Sequence, residues 1–148
     1  MAEYLANAVQ TISLNQPAIF TASIPCQRGC VYHEDETGIF ILRGSTPNCF
    51  ARYQVTFNGN IAIAPEGTGP IAIALAIDGE PLPTSRAIVT PAAAEDYFNV
   101  TSTAIITVPQ GCCFNVSVEN VSESATPATT PAPTITVQNA NLVVSRIA

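Results

Sequence analysis

What constrains this chain most is a side-chain alternation of period two that recurs from end to end and is nowhere replaced by an amphipathic helical pattern. Across 49–57, Cys49, Ala51, Tyr53, Val55 and Phe57 share one face while Phe50, Arg52, Gln54 and Thr56 share the other, the mark of a half-buried strand. Phe98, Val100, Ser102, Ala104, Ile106 and Val108 repeat it. Phe114, Val116 and Val118 resume it after a break at Pro109-Gln110-Gly111. Runs at 12–14, 18–21, 31–33, 39–43, 60–64, 71–77 and 135–147 bring the total to roughly nine strands. Asn58-Gly59 reads as a hairpin turn between 49–57 and a return strand at 60–64, and Asp78-Gly79 as a turn after 71–77. The only helical signal is at 90–95, where Thr90 can cap, Pro91 can enter the first turn and the alanines can propagate. Regular strands without crossover helices predict an all-β fold, an antiparallel sandwich or barrel of about eight to ten strands with at most one short helical segment.

With 148 residues the chain is expected to form a single domain, 1–148, with room for a real core. It is 47% hydrophobic and only 11% charged, so an apolar surface shared with neighbours is expected. Five arginines, no lysine and eleven acidic residues cannot assemble a phosphate-binding stripe, which argues against nucleic acid as a partner. The longest apolar stretch, 71–77, is far short of the roughly 20 residues of a membrane-spanning helix, and neither a membrane anchor nor a secretory signal is expected. Residues 122–134, rich in Ser, Thr, Ala and Pro, read as an exposed loop.

The residues that carry chemistry are few. Cys26, Cys30, His33 and Cys49 are soft ligands of the kind zinc accepts, but their spacing lacks the paired pattern of structural zinc sites, and no metal or cofactor is expected. The five cysteines, Cys26, Cys30, Cys49, Cys112 and Cys113, read either as buried or half-buried thiols or as partners in disulfides, the odd one available between subunits. Vicinal Cys112 and Cys113 face opposite sides of a strand, so at least one is expected to be buried. A Cys30–His33 dyad is disfavoured because three positions along a strand turn the two side chains to opposite faces. Glu34, Asp35 and Glu36 read as a solvated acidic turn rather than a calcium loop. Without a phosphate loop, a nucleophile elbow or paired catalytic carboxylates, the chain is not expected to be an enzyme.

The strand at 71–77 is apolar on both faces: Ile71, Ile73, Leu75 and Ile77 suit the core, and Ala72, Ala74 and Ala76 need a second cover. A homo-oligomer with these alanines near the subunit contact supplies one, and a covering loop of the same chain, such as 122–134, folded over that face is the alternative.

Several segments together carry a resemblance: MAEYLANAVQ at 1–10, IAIALAIDGE at 71–80, AIVTPAA at 87–93, VPQGCC at 108–113 and VQNANLVVSRI at 137–147. They resemble small proteins of phages and prophages of Gram-positive gut bacteria, and their pattern is similar to tumour-necrosis-factor-like jelly rolls of virions and spore surfaces. The resemblance implies a trimeric jelly roll acting as an external capsid decoration or head-fibre protein, with capsid or other virion proteins as partners. A subunit of a bacterial or spore surface appendage and a carbohydrate-binding module are the alternative functions.

Overall fold

A computed structural model describes residues 1–24, 30–65, 67, 69–123 and 132–148. Among them twelve strands run in the order β1 (Ala2–Ala6), β2 (Gln10–Ile12), β3 (Ala22–Ile24), β4 (Val31–His33), β5 (Phe40–Arg43), β6 (Phe50–Ile63), β7 (Ile71–Ile77), β8 (Glu80–Pro81), β9 (Ala87–Val89), β10 (Phe98–Pro109), β11 (Cys113–Asn120) and β12 (Ile135–Arg146). They form two antiparallel sheets, an all-β jelly-roll sandwich. The first has the order β10-β6-β12-β1-β3, with β2 also beside β12; the second is β4-β5-β11-β7-β8, with β9 also beside β7.

The period-two alternation is what the sandwich uses. Tyr53, Val55 and Phe57 of β6, Leu142 and Val144 of β12, Ile73 and Leu75 of β7, and Phe40 and Leu42 of β5 all turn inward into one core and are almost fully buried. Each such side chain contributes roughly 1.5–3 kcal/mol relative to an exposed one. Among the described residues the buried side-chain polar atoms find hydrogen-bond partners, with His33 Nδ1 the exception. Asn120, fully buried, donates to Ile12 O and Pro133 O, both at 3.0 Å, and accepts from the Ser122 amide.

Local signals and tertiary demands disagree at several places. Asn58-Gly59 does not turn the chain: β6 runs unbroken from Phe50 to Ile63, absorbing the expected return strand. Gly59 is there for space, since a Cβ would lie 2.9 Å from the Ala140 methyl and 2.9 Å from the Phe57 ring. That close approach faces a β-bulge in β12, where the register with β6 slips between Gln138 and Asn141 and Asn139 takes φ 50°. Asp78-Gly79 does turn, both residues having positive φ, and joins β7 to β8.

Residues 90–95 form no helix, and the one helical element among the described residues is a 3-10 turn at Pro83–Ser85. That turn serves β7, which is flanked by β8 at one end and β9 at the other. In the gap between them the Ser85 hydroxyl stands in for a ladder partner, accepting from Leu75 N at 3.0 Å. The 18–21 segment makes only an isolated bridge, Phe20 with Thr37, whereas β1 and β3 pair with each other. Most of the expected 122–134 loop lies outside the described residues, but its ends are anchored. Ser122 Oγ accepts from Ala72 N, and Thr134 O accepts from Ala64 N.

Candidate functional site

The groups singled out for chemistry do not converge. His33, on β4, is stacked on Phe40 at 4.3 Å between ring centroids and lies 4.8 Å from the Tyr4 ring, its side chain 1% exposed. Its Nε2 faces Thr37 O at 3.0 Å; a carbonyl only accepts, so Nε2 carries the proton. Nδ1 is buried without a hydrogen bond, 3.9 Å from Asp35. Cys30 is engaged elsewhere, its sulfur 3.5 Å from Arg146 Nη1. Among the described residues no three His, Cys, Asp or Glu side chains meet in a metal-binding group. Cys26 lies outside the described residues.

Cys30, Cys49, Cys112 and Cys113 are free thiols, the first half-buried and the other three exposed. The expectation that Cys112 or Cys113 would be buried is therefore corrected. Cys112 sits in the turn before β11, and Cys113 opens that strand at the end of the sheet beside Arg43, where no layer covers it. Adjoining loops are stitched together at this end of the sandwich: Gln110 N donates to Cys49 O and Gly44 N to Cys112 O.

Ala72, Ala74 and Ala76 do lie on the face of β7 away from the core, opposite Ser117 and Glu119 of β11. They are nonetheless 2%, 1% and 0% exposed within a single chain. Ala74 floors a cleft of about 320 Å³ walled by Leu14, Pro81, Pro83, Arg86 and Glu123, in which Arg86 pairs with Glu123 at 3.0 Å. Little of these alanines is left open to a second subunit in the single chain, and most of the 122–134 loop named as the alternative cover lies outside the described residues.

The same sheet carries a second hollow, of about 290 Å³. β5 pairs with β11 only as far as Val116, and the chain at 14–18 takes over from Val118, leaving a gap beside Ser117. Pro17 and Ile39 flank the gap, Asn115, Ser117 and Glu119 line it, and the Asp78-Gly79 turn forms its rim. Sequence reasoning did not anticipate this trough, because its residues come from four separated segments.

The outward face of the first sheet differs in kind. Antiparallel register aligns Thr103 with Thr56 and Val143, Thr101 with Asn58 and Asn141, and Ile105 with Gln54 and Ser145. Along the outward rows of β10, β6, β12 and β1 the only charged residues are Arg52 and Glu3. Both are engaged locally, Arg52 over the Phe50 ring at 4.7 Å and Glu3 by the Asn141 amide. Ile105, in the middle of β10, is 64% exposed. This face is nearly uncharged along its length.

No family model matches the chain, and no curated protein matches it. Solved structures do. The globular domain of zebrafish complement 1qA protein is similar over 96% of this chain and 94% of its own, with a TM-score of 0.54 and 16% identity. Eiger TNF from S. frugiperda is similar over 100% of this chain and 92% of its own, with a TM-score of 0.65 and 13% identity. At these identities the likeness is one of fold, and it shows this chain to be a jelly roll of the kind seen in the complement 1qA globular domain and in TNF.

Proposed function

We propose that the protein is a structural subunit that self-associates as a homotrimer through the outward face of the β10-β6-β12-β1 sheet and serves as an external decoration or head-fibre protein of a phage particle. The observation that carries the self-association is the near absence of charge on that face. Depletion of charged residues is what separates the centre of an interface from ordinary surface, and here rows of Thr, Asn, Gln, Val and Ile replace the Lys and Glu that keep a sheet face solvated. The low charge of the whole chain and the phage-protein resemblance of its sequence support the particle role.

Analytical ultracentrifugation at micromolar concentration is expected to give three times the chain mass, and Ile105→Glu to give single chains that remain folded. A monomeric wild type, or an Ile105→Glu variant of unchanged mass, overturns the interface. Mass spectrometry of purified particles tests the particle role, which fails if the protein is absent from particles whose capsid proteins are detected.

A further inference from the structure

We propose that the trough lined by Asp78, Asn115, Ser117 and Glu119 is a binding site for a primary ammonium group, specifically a lysine side chain presented by a partner protein of different sequence. The trough lies on the outer face of the second sheet, away from the surface assigned to self-association, and does not depend on that reading.

Glu119 is the reason. The residue is only 7% exposed, yet the hydrogen bond to its carboxylate among the described residues is from Ser117 Oγ to Oε1 at 2.8 Å. Among the described residues no arginine pairs with it: the Arg–carboxylate pair there is Arg86–Glu123. The neighbouring cleft makes the contrast, because there Glu123 has Arg86 within the chain. A carboxylate largely withdrawn from water without a countercharge is costly, and an entering cation offsets that cost.

Asp78 adds a second carboxylate at the rim, held by the Asn115 amide to Oδ1 at 3.1 Å and by its own amide to Asn115 O at 2.7 Å. Pro17 and half-exposed Ile39 form an apolar flank suited to the methylene stem of a lysine whose head reaches the carboxylates.

A second copy of this chain is a poor donor. It has no lysine, and the four arginines among the described residues are engaged, Arg43 over Tyr32, Arg52 over Phe50, Arg86 with Glu123 and Arg146 with Ser45 O, while Arg28 lies outside them.

The test is an amide NMR titration of the whole protein with N-acetyl-lysine methylamide, run against the same compound acetylated on Nε, which keeps the stem and removes the charge. Saturable shifts confined to Gly79 and residues 115–119, absent with the acetylated compound, are expected. Glu119→Gln, which keeps the acceptor for Ser117, is expected to weaken binding by about tenfold or more as a charge-assisted contact becomes neutral. Asp78→Asn, compatible with the positive φ of that turn, is expected to weaken it less. Equal shifts with both compounds, no saturable shift, or full binding by a folded Glu119→Gln protein overturns the proposal. So does a response of the same amides to calcium chloride but not to the lysine compound.

Discussion

The hydroxyl of Tyr53, on β6 of one sheet, donates to the carbonyl of Arg43, on β5 of the other, at 2.6 Å, with Cys30 O 3.2 Å away. The ring is fully buried, so this is a polar tie between the two sheets within the core. Tyr53→Phe keeps the ring and removes the donor. A loss of about 1–2 kcal/mol is expected, read as a lower urea midpoint with an unchanged m value.

Asn120→Ala removes a side chain that bonds three segments at once, at Ile12, Pro133 and Ser122. Two carbonyls and one amide then lose partners in the interior, and a cost of about 3 kcal/mol is expected. Hydrogen exchange is expected to report the damage first at β2 and the start of β12.

Ala74→Glu is expected to destabilise the individual chain rather than separate subunits. The new carboxylate replaces a methyl 1% exposed and directly opposite Glu119. A penalty of about 3 kcal/mol or more corresponds to a fall in Tm of roughly 6 °C or more, measurable by circular dichroism. Ile105→Glu makes the control, with a change in mass and a Tm that no longer depends on protein concentration.

Thiol labelling followed by peptide mapping is expected to modify Cys49, Cys112 and Cys113 rapidly in the folded protein, and Cys30 more slowly because it is half-buried beside Arg146. Equal protection of Cys112 and Cys113 would contradict their exposure.

The strands were legible wherever alternation extended over several residues, as in β6, β10 and β12, because burial on one face of a pleated strand writes itself directly into residue order. Turn chemistry was a weaker guide. Asp78-Gly79 behaves as its local preference dictates, whereas Gly59 answers to Ala140 some eighty positions away, a neighbour that no local window contains. β1 escaped notice because its Ala-Glu-Tyr-Leu-Ala run is short and two of its inward residues are alanines.

The alanines of β7 are buried in the single chain, and the residues walling the cleft over Ala74 come from separated connections that no spacing in the sequence brings together. The trough is less legible still. Pro17, Ile39, Asp78 and Glu119 share no spacing, and a buried carboxylate among valines looks in the sequence like an ordinary polar position on a strand.

The placement of β12 has a consequence for how the molecule is made. This strand, the last in the chain, lies in the interior of its sheet, with β6 on one side and β1 and β2 on the other. Asn141 bonds Glu3 across 138 positions of sequence. On a ribosome the first sheet therefore cannot close before residues 135–146 have emerged, and until then β6 and β1 each carry a bare hydrogen-bonding edge. Closure waits for that strand and proceeds at the slow pace of folds dominated by distant pairings, and until then the chain depends on its neighbours staying away from those edges.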